Sequence, residues 1–161
     1  MNGHFMEATI HPTATVFPGV ELGLDVAVGP YSVIESGAVL GDGCRIGPLV
    51  HILGRTELGP RCKVSAGTVL GGEPQDDKYH GERTLVSIGA DCHFHEHVTV
   101  NRATGEGNST VIGKGVRMMA GAHVGHNCTV GDHAVLVNGI ALGGYASIGE
   151  RSILSGNAMI H

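Results

Sequence analysis

Large aliphatic residues recur at every sixth position of this chain. Beginning at Ile10, the phase runs through Val16, Leu22, Val28, Ile34, Leu40, Ile46, Ile52, Leu58, Val64 and Leu70. It resumes at Ile88, Phe94 and Val100, then from Ile112 through Met118, Val124, Val130, Leu136, Leu142, Ile148 and Leu154 to Ile160. Of the 26 positions of this phase between 10 and 160, 23 carry Ile, Leu, Val, Met or Phe. The overall apolar share of 42% would give roughly 11, so the chain is an internal repeat. Four residues after the aliphatic stands a small or β-branched residue, among them Ala14, Val26, Ser32, Ala38, Cys44, Thr56, Cys62, Thr68, Ala122, Cys128, Ala134 and Ala146. Directly after it stands glycine at Gly23, Gly29, Gly41, Gly47, Gly59, Gly89, Gly113, Gly125, Gly131, Gly143 and Gly149.

An α-helix cannot use this pattern, because a step of six builds no continuous helical face. A coil of three short strands, one hexad to each side, can. Residues two apart on a strand share a face, so the small residue and the aliphatic both point inward. The glycines are expected to relieve the backbone at sharp corners. About seven to eight coils stacked at ~4.8 Å predict a column of roughly 35 Å. The fold class is therefore all-β, a parallel β-helix in the form of a triangular prism, with residues 1–161 as one domain. The polar phase positions Asp76, Glu82 and Glu106 mark two loops expelled from the prism, at about 71–85 and 102–109. The period does not give the hand; parallel crossovers are normally right-handed.

Composition sharpens this picture in a few places. There is no Trp and only six Phe plus Tyr (three of each), so the core must be narrow and aliphatic. A formal charge of −5 argues against nucleic acid, which needs a concentrated basic surface. No apolar run is long enough to span a membrane, and residues 1–10 lack the pattern of a secretory signal. A cytoplasmic protein is the expectation. Cys44, Cys62, Cys92 and Cys128 all fall in the small inward slot and form no CxxC pair, which predicts buried, reduced thiols rather than a zinc site.

Eleven histidines are many for this length. His4 and His11 are expected at the surface. His93, His95 and His97 alternate as if along one strand, facing outward, where they could form a surface cluster, an interface or a metal site. His123 and His126 lie in Gly121-Ala122-His123-Val124-Gly125-His126-Asn127-Cys128-Thr129-Val130-Gly131. One coil, which is three hexads, separates His126 from Gly144 and Gly143 from His161. His126 should thus sit beneath a corner without side chains, with His161 above, where a substrate and an exposed N–H could meet.

That segment resembles the catalytic histidine stretch of bacterial UDP-N-acetylglucosamine O-acyltransferases, members of the hexapeptide-repeat acyltransferases. Gln75-Asp76-Asp77-Lys78-Tyr79 is similar to the family's loop motif, and Val98–Arg102 to the segment that follows it. The resemblance implies a left-handed helix, a homotrimer, and transfer of a 3-hydroxyacyl group from acyl carrier protein to the 3-hydroxyl of UDP-N-acetylglucosamine, the first step of lipid A synthesis. It implies His126 as general base and the Gly144 N–H as oxyanion donor. Asp76, Lys78, Gln75, His123, Asn101, Arg102 and His161 would bind or position substrate, with the Asp76–Lys78 loop reaching towards a neighbouring subunit. No cofactor, metal or membrane insertion is implied.

The sequence departs from the familiar pattern at three points. Asn127 stands where Asp usually follows the catalytic histidine, Tyr145 where a further histidine follows the oxyanion glycine, and Asn101 where histidine is frequent. Polarity survives at each, with a weaker proton relay as the expectation. The hexads stop in phase at Ile160-His161, whereas the family continues with further coils and a helical region, so the chain reads as C-terminally truncated. Three alternatives stay open on the residues: a sugar-nucleotide N-acyltransferase, a γ-type carbonic anhydrase with zinc on the histidine cluster, and a non-catalytic trimeric scaffold.

Overall fold

The computed structural model describes residues 7–161; His4 and most of the N-terminal stretch lie outside them. The chain winds as a left-handed parallel β-helix with no α-helix among the described residues. Most strands are only two residues long. They stack into three parallel sheets. One sheet has eight strands, from Thr9–Ile10 to Ile153–Leu154. A second has eight, from Thr15–Val16 to Met159–Ile160, and a third has seven, from Glu21–Leu22 to Ser147–Ile148.

The core is a set of ladders. On the first sheet Val28, Ile46, Val64, Phe94, Met118 and Leu136 stack in register, one per coil. All six are buried, as are the small partners beside them, Cys44, Cys62, Cys92 and Ala134. With each side chain resting on its equivalent in the next coil, a core this narrow reaches close packing without large aromatics. The four cysteines are free and buried, and each Sγ lies 3.0–3.3 Å from a carbonyl oxygen. Burial raises the Cys128 thiol, and the Cys62 thiol together with burial raises Cys44. These are packing residues.

The corner geometry differs from the expectation for glycine. The left-handed backbone falls three residues after the aliphatic, not one. Twelve non-glycine residues, including Asp25, Tyr31, Leu49, Asn127 and Tyr145, hold φ between 53° and 65° there. Apart from Gly71 at φ 85°, the glycine directly after the aliphatic has ordinary φ and answers a different need. A Cβ on Gly59 would lie 2.6 Å from the Ala90 nitrogen and 2.7 Å from the Gly89 carbonyl carbon. It is the close approach of successive coils, not strain within one coil, that excludes a side chain.

Between Val69–Gly72 and Leu85–Ile88, and between Thr99–Asn101 and Ser109–Ile112, the chain leaves the prism. Stacked partners elsewhere are three hexads apart, as Ile46 and Val64 are. Across the first excursion Leu58 pairs with Ile88, five hexads on, and across the second Ile88 pairs with Ile112, four on. Both insertions are whole hexads, so the periodicity runs through them in the sequence. The second excursion is not wholly expelled: Ala103 and Thr104 are buried.

The histidine run also differs from its reading as one strand. Only His93 lies on a strand, His93–Phe94. His95 and His97 follow on the turn, and His97 has φ 56°. The His93 and His95 rings stack at 4.1 Å.

Candidate active site

Where the second and third sheets meet, a cleft of about 210 Å³ opens near the upper end of the column. His123, on the strand His123–Val124, projects outward because the strand alternates and Val124 takes the inward position. His126 occupies the turn that follows. The cleft is lined by both histidines together with Gln75, Asn101, Gly144 and His161. Six of the nine residues singled out in the sequence thus share one wall. Gly144 lies directly over His126, so close that a Cβ there would overlap the imidazole.

The orientation of His126 is fixed from behind. Its Nδ1 lies 2.9 Å from Asn127 Oδ1. On the other side of the ring, Nε2 lies 3.8 Å from Asp76 Oδ2. Asp76 is held in turn by the Lys78 N–H, which donates to Oδ1 at 2.9 Å and leaves Oδ2 for the histidine. The Tyr145 ring meets the imidazole edge-on at 5.3 Å. His123 is hydrogen-bonded through Nδ1 to the Thr99 hydroxyl at 2.8 Å.

The other three of the nine, Asp76, Lys78 and Arg102, stand outside the residues that line the cleft. Within the one chain the loop folds back, so that Asp76 faces this chain's own His126. Lys78 is exposed, and among the described residues only its backbone is engaged. Arg102 points away from the cleft and braces the first excursion. It donates to Gly71 O, Glu73 Oε1 and the Tyr79 hydroxyl, each at 3.0 Å, with its guanidinium over the Tyr79 ring. Asn101 joins this bracing through Nδ2, which donates to Glu73 O, while still lining the cleft. Sequence reasoning missed Thr99 and Thr104. The second contacts Asn127 from 23 residues away, a separation with no periodic signature.

Burial lowers the His123 imidazole below the ordinary histidine range. His93 is lowered as well, by burial first and then by His95, Lys63 and Arg117. In the unfolded chain both take up a proton near pH ~6.5; in the folded chain they do so only at lower pH. Between those values the unfolded state binds more protons, so stability is full above the ordinary value and falls as pH drops. Thermal midpoints should therefore decline from about pH 7 to about pH 5, less steeply in His123→Gln. An identical slope in that variant would remove His123 from the account.

No group of three or more His, Cys, Asp or Glu among the described residues is placed to hold a metal ion. The carbonic anhydrase reading, which draws histidines from adjacent chains, has no ligand set among the described residues of one chain. Likewise, no helix among the described residues is long and apolar enough to cross a membrane.

Comparison with known proteins agrees with the repeat and with the fold. Residues 37–72 match the family described as bacterial transferase hexapeptide (six repeats). The acyl-[acyl-carrier-protein]–UDP-N-acetylglucosamine O-acyltransferase of Stenotrophomonas maltophilia is 51% identical over 153 residues, covering 94% of this chain and 58% of that protein. The enzyme of the same name from Thiobacillus denitrificans is 52% identical over 155 residues, covering 96% and 60%. Among solved structures, the UDP-N-acetylglucosamine O-acyltransferase of Moraxella catarrhalis superposes with a TM-score of 0.90 at 31% identity, covering 94% of this chain and 60% of that one. The chain thus spans about three-fifths of the length of the relatives it matches. By its hexads, its left-handed column and these relatives, the chain is similar to the acyl-[acyl-carrier-protein]–UDP-N-acetylglucosamine O-acyltransferases over about three-fifths of their length.

Proposed function

We propose that this chain transfers a 3-hydroxyacyl group from acyl carrier protein to the glucosamine 3-hydroxyl of UDP-N-acetylglucosamine, the first step of lipid A synthesis, as a cytoplasmic homotrimer. One observation carries the reading: His126 is tied through Nδ1 and presents Nε2 to a cleft beneath a glycine corner. A hydrogen-bonded Nδ1–H leaves the Nε2 lone pair as the base. The acceptor hydroxyl gives its proton to Nε2 as its oxygen attacks the thioester carbonyl. The Gly144 N–H, which makes no hydrogen bond within the described residues, is available to the developing oxyanion. When the tetrahedral species collapses, the C–S bond breaks and the imidazolium returns the proton to the departing sulfur. The products are the O-acyl sugar nucleotide and free carrier thiol.

The remaining residues hold and place the substrate. Gln75, Asn101, His123 and His161 offer hydrogen-bonding groups on the cleft wall. Asp76 faces Nε2 and stabilises the imidazolium electrostatically once it forms. Lys78, free at its side-chain end, suits the phosphates of a nucleotide bound to its own or a neighbouring subunit. The names of the relatives support the same substrates.

Titration calorimetry with UDP-N-acetylglucosamine tests the binding half of this reading. Saturable binding is expected, weakened about tenfold or more in Lys78→Ala by the loss of a charge-assisted contact. An affinity unchanged by that substitution would place the sugar nucleotide elsewhere.

A further inference from the structure

Behind His126 lies a network that the general-base reading does not by itself explain. Asn127 Oδ1 lies 2.8 Å from the Thr104 nitrogen, 2.9 Å from Thr104 Oγ1 and 2.9 Å from His126 Nδ1. Asn127 Nδ2 lies 3.0 Å from Thr104 O. The hydrogens follow from donor and acceptor chemistry alone. The Thr104 N–H can only donate and the Thr104 carbonyl can only accept, so the amide of Asn127 fits in one sense, Oδ1 to the N–H and Nδ2 to the carbonyl. The flipped amide would set donor against donor and acceptor against acceptor. With Oδ1 so placed, His126 Nδ1 must carry its proton. The Thr104 hydroxyl must likewise donate to Oδ1, which leaves its oxygen to accept from the Tyr145 hydroxyl at 3.1 Å.

We propose that Thr104 is a positioning residue which, through the Asn127 amide, locks His126 in the Nδ1–H tautomer, and that this arrangement requires an amide rather than a carboxylate at position 127. The inference rests on His126 being the base of the proposed reaction. Thr104 is buried, so its hydrogen bonds are made in a site from which water is largely excluded, where they hold geometry well. Asn127 also sits at φ 58°, a backbone that asparagine adopts more readily than most residues. An aspartate there would keep the bond to His126 but turn a carboxylate oxygen towards the Thr104 carbonyl, where Nδ2 now donates at 3.0 Å. Two acceptors would then face each other in a buried place, and the anchor of the imidazole would shift.

The test uses the full chain with ¹⁵N-labelled histidine, and the His126 signals are assigned by their loss in His126→Gln. Long-range ¹H–¹⁵N spectra report the tautomer, and steady-state acyl transfer reports kcat and KM separately. The unvaried chain is expected to show His126 entirely as Nδ1–H. Asn127→Gly, which removes the amide that the Thr104 backbone orients and tolerates the same backbone φ, should populate the Nε2–H tautomer and lower kcat about tenfold with KM unchanged. Thr104→Val should keep the Nδ1–H tautomer, because the N–H and carbonyl that orient the amide belong to the backbone. Asn127→Asp should lower kcat by a similar factor. Thermal midpoints confirm that each variant is folded. The inference is overturned if Asn127→Gly keeps both kcat and a pure Nδ1–H tautomer, or if Asn127→Asp turns over faster than the parent. Either of those results with an inactive His126→Ala variant leaves the general-base reading standing. If His126→Ala remains active, that reading fails instead, and the tautomer spectra, which need no substrate, still decide whether the Asn127 amide sets the lock.

Discussion

Replacing His126 with alanine should lower acyl transfer by about 10²–10⁴-fold, the usual contribution of a positioned general base, without unfolding the column. The local geometry separates the two effects. His126 belongs to a turn and contributes nothing to the aliphatic ladders, which pass through Val124 and Leu142 in register. Removing its ring takes one donor from Asn127 Oδ1, but both Thr104 donors remain, so no buried acceptor is orphaned. The loss should fall on kcat. In the proposed mechanism the tethered imidazole acts on the proton in flight, while Gln75, Asn101, His123 and His161 on the cleft wall are the groups proposed to share binding. Steady-state rates beside a thermal unfolding curve check both halves. Parent-level turnover in a folded variant would show that the proton leaves by another route.

Gly144→Ala is the second large effect, and it arises from space rather than chemistry. The added Cβ would lie 2.5 Å from His126 Cε1 and closer still to Nε2. The ring cannot simply tilt away, because Nδ1 is tied to Asn127 and the His126 carbonyl accepts from the Tyr145 N–H at 2.9 Å. Either the imidazole breaks its anchor or the two coils separate. A displacement of this order costs about 10²-fold in rate, and the overpacking about 1–3 kcal/mol of stability. The variant should thus be folded, somewhat less stable and nearly inactive. A variant with normal rates would mean that the corner is looser than its packing implies.

Most of the column was legible in the sequence because a single repeating demand generates it. Each coil must place aliphatic and small residues inward on every side, and that demand leaves its mark once per hexad. The cleft was partly legible for the same reason. No excursion follows His126, so a step of three hexads carried it correctly to Gly144 and carried Gly143 to His161. Below the site the arithmetic fails. The second excursion stretches the coil to four hexads, so His123 pairs with Thr99, and its hydrogen-bond partner could not be found by counting.

Thr104 escaped notice for a related reason. It lies in a segment read as expelled, yet the chain folds inward there to satisfy Asn127. The glycine rule was misassigned because sequence shows where a side chain is excluded but not whether φ or a neighbouring coil excludes it. Arg102 was matched to a motif as a substrate ligand, and among the described residues its side chain bonds to Gly71, Glu73 and Tyr79 at the first excursion. Motif position gives the residue type and not the direction of its side chain.

The most direct test of the central claim is the mass of the product. The chain would be incubated with UDP-N-acetylglucosamine and a panel of 3-hydroxyacyl carrier proteins, and the sugar nucleotide weighed before and after. The account predicts a species heavier by one 3-hydroxyacyl group, joined as an ester at the 3-oxygen and absent when His126→Ala is used. A folded protein that yields no acylated sugar nucleotide with any carrier, or an equal yield from the alanine variant, would contradict it.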